Sequence, residues 1–213
     1  MSRGHARWHT PGVPEPILVI ACGALAREIT ELKKSSGWDH VDLASIDAWL
    51  HMRPEKIPDR LRSKIRQFRQ TYSRIFVAYG DCGTAGGIDK VLEEEGVERV
   101  PGEHCYQFFA GADKFAALAE AEPGTFYLTD FLAQHFERFV IRPLKIDSHP
   151  ELRDAYFGNY RRLVFLSQTN NEETLAAAKD AAAQLGLEFE HEHCGYGDLA
   201  RCLTEYVTRN TDG

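Results

Sequence analysis

The stretch Ile17-Leu-Val-Ile-Ala-Cys-Gly-Ala-Leu-Ala-Arg-Glu-Ile29 decides the fold class. Its first four residues are large and apolar, with no polar residue between them, the pattern of a strand covered on both faces. From Ala24 to Lys34 the period changes, and Leu25, Ile29 and Leu32 fall on one face of a helix. A buried strand that runs through a short loop straight into a helix is the building unit of a parallel sheet.

Similar units follow. Val41–Ile46 alternates like a strand, and Pro54 and Pro58 precede a basic amphipathic helix through Leu61, Ile65 and Phe68. Arg74–Ala78 is a third strand, and the loop Tyr79-Gly-Asp-Cys-Gly-Thr-Ala-Gly-Gly87 leads it into a helix over Gly86–Glu95. Val97–Val100 reads as a short strand, and Cys105–Glu120 as helix broken near Gly111. Gly124–Thr129, Leu163–Ser167 and Leu187–Glu192 read as strands; Phe131–Val140, Glu151–Tyr160, Glu172–Leu185 and Leu199–Thr208 read as helices. The alternation predicts an α/β fold with a mainly parallel, Rossmann-like sheet built from repeated strand–loop–helix units. Residues 1–16 read as a flexible lead-in, and 17–213 as an α/β domain that can divide into two closely packed halves. The best candidate for a link between halves is Arg142–Ser148.

Composition bounds the function. The 213 residues carry a net charge of −7, which argues against a nucleic-acid binder with its basic face. No apolar run reaches the roughly 18–20 residues of a membrane span, and the opening segment lacks a signal-peptide core, so a cytoplasmic protein is expected. Five cysteines, an odd number without a secretion signal, are expected to stay reduced.

Three of those cysteines share a context. Cys22 and Cys82 each follow a strand and precede a helix, and Cys105 follows a strand and a Pro-Gly turn. Parallel strands of an open α/β sheet point their carboxyl ends to one edge, where ligands bind. Thiols far apart in sequence can therefore meet there, and a following helix amino end is expected to favour the thiolate. A three-thiolate set suits zinc with an open fourth position, or alternatively a [4Fe–4S] cluster with one open iron. His51 is the candidate fourth ligand. Cys194 shares the pre-helical context as a supporting residue, whereas Cys202 sits on an apolar helical stripe with Leu199, Leu203 and Tyr206 and reads as core.

The glycines around Cys82 offer backbone N–H groups to an anion, but the loop has neither a P-loop nor a dinucleotide-binding pattern, and Asp81 would repel phosphate. Asp81 and Gly83 are instead candidate contacts to a small-molecule substrate. Tyr160, Arg161 and Arg162 are further candidates, because an arginine there can clamp a carboxylate or phosphate. Asp130, at another strand end, reads chiefly as the cap of the next helix.

ACGALAREI, LHMRPEKI, YGDCGTAGGID, GEHCYQFFAG, PGTFYLTDFLAQHF, HPELRDAYFGNYRRLVFL and GYGDL occur in this order. Together they resemble the bacterial and archaeal family catalogued as domain of unknown function 1638, over nearly the whole chain after Pro16. The resemblance supplies no activity. It implies an association with corrinoid-linked methyltransferases, and hence one-carbon metabolism, with a corrinoid protein or methyltransferase as partner. It leaves Cys22, Cys82 and Cys105 in motif positions. The expectation is a metal-dependent enzyme, with a lyase or dehydratase, or a non-catalytic metallochaperone serving a methyltransferase, as the alternatives.

Overall fold

A computed structural model describes residues 14–209. The expected flexible lead-in lies outside the described residues as far as residue 13. Among the described residues the strands form two sheets, both parallel throughout.

The first sheet has the order β2-β1-β3-β4, from β1 (Ile17–Cys22), β2 (Val41–Ile46), β3 (Arg74–Ala78) and β4 (Glu98–Arg99). Every residue of β1 is buried, as its unbroken apolar run requires of a central parallel strand. Helices α1 (Ala26–Ser35), α2 (Ile57–Phe68) and α3 (Gly87–Glu95) return the chain between these strands. They bury Ile29 and Leu32, Leu61 and Ile65, and Ile88 and Val91. Pro58 stands within the first turn of α2, where its missing N–H is harmless, and not ahead of the helix.

Next come α4 (Cys105–Ala110) and α5 (Ala112–Ala121), separated at Gly111 with φ +81°. The second sheet, β5-β6-β7, comprises β5 (Thr125–Thr129), β6 (Arg162–Ser167) and β7 (Glu188–His193). Around it are α6 (Asp130–Gln134), α7 (Leu152–Phe157) and α8 (Glu172–Leu185). The division between sheets therefore falls across α4 and α5, and not at Arg142–Ser148. That latter segment forms turns within the second half, with Leu144 and Ile146 packed on its core.

The expected helix over Phe131–Val140 is also different. After α6 the chain forms a five-residue π-helix, Glu137–Ile141, closed by Arg142 N–H donating to the Glu137 carbonyl at 3.0 Å. A single widened turn of this kind is uncommon and concentrates at functional sites.

The last helix, α9 (Gly197–Thr208), crosses back to the first sheet and joins its core through Leu199, Cys202, Leu203, Tyr206 and Val207. Tyr206 donates its hydroxyl to the Ile75 carbonyl at 3.0 Å. At its amino end, a Cβ on Gly197 would run into the carbonyl oxygens of Phe108 and Phe109. The Gly-Tyr-Gly turn thus lets α9 lie against the end of α4, which fixes the helix that begins with Cys105.

Candidate functional site

The strand order explains why distant residues meet. A reversal of strand order lies between β1 and β3, and ligand crevices in open α/β sheets form outside the strand ends at such a point. Cys22 ends β1, and Tyr79 to Cys82 leave β3. The flanking strands add to the same edge: β2 is followed by the turn that carries His51, and β4 by the turn into Cys105.

Close backbone approaches hold these four turns together. A Cβ on Gly23 would stand 3.1 Å from the Ile46 carbonyl and 3.2 Å from Ala48 N, so this glycine seats the Cys22 turn on the His51 segment. A Cβ on Gly80 would be 2.7 Å from the Glu103 carbonyl, and Cys82 N–H donates to that same oxygen at 3.0 Å. Gly80 thereby seats the Cys82 loop on the Cys105 turn.

Within the loop, Cys82 adopts φ +49°, a conformation that side chains other than glycine rarely hold. Asp81 supports it: its carboxylate accepts from the Thr84 hydroxyl at 2.7 Å, Gly86 N–H at 2.8 Å and Ala85 N–H at 3.1 Å. These bonds hold its carboxyl below the usual range, against the opposing effect of burial. Asp81 is engaged in shaping the loop, and Gly83, φ +81°, lies beside Pro54.

The three thiols are electrostatic neighbours. Burial pushes the Cys22 thiol up to about 11, although Ala24 N–H donates to its sulfur at 3.4 Å. Burial and then Cys22 push Cys82 up to about 12. Burial, then Cys82 and Cys22, hold Cys105 well above the ordinary thiol range. The expected lowering by helix amino ends is thus overturned. Cys22 opens onto a three-residue 3-10 turn, Gly23–Leu25, and loss of water outweighs one N–H contact. Among the described residues, no three His, Cys, Asp or Glu side chains close into a metal-holding group.

His51 is set by its neighbours. Its Nδ1 lies 2.9 Å from the Ala48 carbonyl, which requires a proton there and leaves Nε2 with its lone pair. The same Nδ1 is 3.9 Å from Cys22 Sγ, and burial followed by the nearby His104 lowers the pKa, so the ring is neutral at pH 7. Its ring stacks on Tyr79 at 5.7 Å.

Tyr79 carries the strongest signal that the sequence reading missed. It is fully buried, and its hydroxyl faces the Cys22 sulfur, raising its own pKa and lowering that of Cys22, but makes no hydrogen bond of good geometry. Burial and then the charges of Cys22 and Cys82 raise its pKa, with Cys105 contributing further. A buried hydroxyl beside three thiols has no packing rationale, since phenylalanine would fill the same space without the desolvation cost. Its place beside Cys82 in the Tyr-Gly-Asp-Cys loop was the available clue. Glu28, on the buried face of α1, is the other group missed: burial raises its pKa, Asp130 adds to the effect, and one carboxylate oxygen lacks a partner.

The remaining candidates stand elsewhere. Arg162 begins β6, at the opposite end of that strand from its ligand-facing edge, and is committed to Glu190 at 2.8 Å, Thr125 Oγ1 at 2.8 Å and the Leu118 carbonyl at 2.9 Å. Arg161 is exposed, 3.8 Å from Glu122. Tyr160 packs on Phe126 and Phe157. Cys194 interacts with Lys114 and Glu192, not with the other thiols. Asp130 does not cap α6: Thr129 accepts from Leu132 N–H, while Asp130 accepts from Gln168 N–H at 3.0 Å and Thr169 N–H at 3.1 Å, joining the ends of β5 and β6.

Beside the thiols, a cavity of about 310 Å³ runs between the two halves. Cys105 and His51 form part of its wall, so it connects with the strand-end residues.

A family model described as "Protein of unknown function (DUF1638)" matches residues 45–203. The match includes His51, Tyr79, Cys82 and Cys105, with Cys22 outside it. Among solved structures, ornithine carbamoyltransferase from Pyrococcus furiosus is similar at 18% identity with a TM-score of 0.25. That alignment covers 84% of this chain and 54% of the other, so the chain spans about half that protein's length. No curated protein matches the chain. The chain belongs to the DUF1638 family.

Proposed function

We propose that this member of the family is a metal-dependent enzyme whose centre is built on Cys22, Cys82 and Cys105, with His51 as the fourth protein donor or as the residue beside an open position. The supporting observation is a buried Tyr79 hydroxyl that faces the Cys22 sulfur without a hydrogen bond of good geometry, beside thiols of which Cys22 raises the pKa of Cys82, and Cys82 and Cys22 that of Cys105. Thiols with acidities near 11 and 12 are uncharged at neutral pH. A bound cation reverses this, since thiolates ligate and their protons are released. The Tyr79 hydroxyl then has a natural acceptor in a thiolate sulfur, the outer-shell hydrogen bond that tunes such centres.

Three sulfurs and an imidazole are soft donors suited to zinc. Zinc would supply Lewis acidity, or hold a substrate thiolate at neutral pH. The chain's own residues bind the ion, orient His51 through the Ala48 carbonyl and exclude water through the packed halves. The link to a corrinoid protein or methyltransferase is carried by the family resemblance and belongs to the same proposal, as the source or acceptor of a one-carbon group.

Anaerobic purification followed by analysis for zinc, iron and sulfide tests the reading. The expected result is about one zinc per chain in the parent and in Cys202→Ser, with a sharp loss in Cys82→Ser. Iron with sulfide in place of zinc would select the [4Fe–4S] alternative. Equal metal content in all three proteins would defeat the assignment.

A further inference from the structure

The cavity between the halves differs from the substrate site that an arginine clamp would make. Its wall is apolar, with Phe126, Phe131, Leu132, Phe139, Val140 and Leu144 contributing. Among the described residues, no Lys, Arg, Asp or Glu side chain is part of it. The polar groups on its wall include His51, Cys105 and Thr129, the first two from the edge where the thiols gather. Its volume, about 310 Å³, is roughly twice that of the ~150 Å³ cavity known to take up benzene.

Two features indicate a wall built for an occupant. The π-helix Glu137–Ile141 supplies Phe139 and Val140, so the wall includes a widened turn that ordinary helical packing would avoid. Met52, 42% exposed yet part of the wall, stands where the cavity meets solvent.

The geometry points to a binding site for an uncharged organic molecule with an apolar, ring-sized body, whose single polar head is directed at His51 and Cys105. Charge is what the wall selects against. An anion or cation entering it would lose its water and find no opposite charge. An apolar body displaces water from aromatic and aliphatic surface, while the head meets the imidazole and the sulfur. That this molecule is the substrate of the thiol centre rests on the function proposed above; that the cavity binds it does not.

Titration of the full chain, followed by fluorine NMR, separates the two. The probes are 4-fluorobenzyl alcohol, 4-fluorobenzoate and 4-fluorobenzylamine, which share a ring and differ in charge. The alcohol is expected to bind at least tenfold more tightly than either ion. Val140→Trp and the milder Leu144→Phe fill the cavity and should weaken the alcohol at least tenfold, with thermal unfolding showing which of them remain folded. Cys82→Ser, whose residue is not on the wall, should lose metal and keep the alcohol, so failure of the metal reading leaves this result standing. Equal affinity for the three probes would overturn the proposal, as would undiminished alcohol binding in a folded, filled variant.

Discussion

Replacing Gly80 by alanine perturbs the thiol neighbourhood without touching a sulfur. The new Cβ would stand 2.7 Å from the Glu103 carbonyl oxygen, 3.0 Å from its carbon and 3.1 Å from His104 N. These are backbone atoms within two residues of Cys105, and they cannot rotate aside. The Glu103 oxygen is also the acceptor for Cys82 N–H, so any retreat of the loop weakens that bond. Overpacking costs about 1–3 kcal/mol and a lost backbone hydrogen bond about 0.5–1.5 kcal/mol, together about 1.5–4.5 kcal/mol. A domain with about 5–15 kcal/mol of stability remains folded. Urea unfolding in the presence of a chelator measures the loss, and competition with a chromophoric chelator measures zinc affinity. We expect at least a tenfold drop in affinity, because the displaced loop moves Cys82 away from Cys105. Leu163→Ala provides the control: it empties part of the second core at a cost of about 2–5 kcal/mol, yet lies far from the thiol turns and should leave zinc affinity within about twofold. Unchanged affinity in Gly80→Ala, or an equal drop in Leu163→Ala, would refute the reasoning.

Further expectations concern groups at the same edge and the helix that closes the fold. In chelator-treated protein, Cys22 shifts from an ordinary 9.0 to about 11 on folding. The unfolded chain therefore loses this proton first, and the stabilisation present below pH 9 declines as pH rises through 11. The decline amounts to about 3 kcal/mol from this group, and a pH series of urea midpoints that matched that of Cys22→Ala would exclude it. Tyr79→Phe should leave the chelator-treated protein as stable or about 1 kcal/mol more stable, having removed a buried hydroxyl with no hydrogen bond of good geometry, while weakening zinc roughly tenfold. A stability loss with zinc affinity intact would show the hydroxyl to be structural. Tyr206→Phe removes the bond to the Ile75 carbonyl and should cost about 1–2 kcal/mol by urea unfolding.

The sequence is most legible where one physical effect dominates. The run Ile17–Ile20 admits little besides a central buried strand, and the repeated change of period to helix implies parallel pairing. The common edge for Cys22, Cys82 and Cys105 follows from the same connection rule. Legibility ends where effects compete at one residue. A helix amino end and burial act in opposite directions on a thiol, and only the packing of His51, Tyr79 and Cys105 around Cys22 and Cys82 decides for burial. Arg162 reads equally as a substrate clamp or as the partner of an acidic neighbour until β7 brings Glu190 beside it. Asp130 has the right position for a cap, but Gln168 and Thr169 arrive through a strand pairing that adjacent sequence does not reveal.

Two misplacements have a similar origin. Arg142–Ser148 is the best candidate for a link in the sequence, but the break between sheets falls across two helices, Cys105–Ala110 and Ala112–Ala121, which no local composition marks as a boundary. Phe131–Val140 carries a helical period, and nothing local distinguishes a π-turn from an α-turn when the residues that widen it face a cavity formed with the other half. A tyrosine at a strand end is ordinary in sequence, and the significance of Tyr79 lies in a buried hydroxyl that only the packing places beside the Cys22 sulfur.

X-ray absorption at the zinc edge of the anaerobically purified protein tests the central claim most directly. The expected spectrum has three sulfur scatterers at about 2.3 Å and one nitrogen or oxygen at about 2.0–2.1 Å, falling to two sulfurs in any residual metal of Cys105→Ser. A first shell of nitrogen and oxygen alone, unchanged by that substitution, would contradict a centre built on Cys22, Cys82 and Cys105.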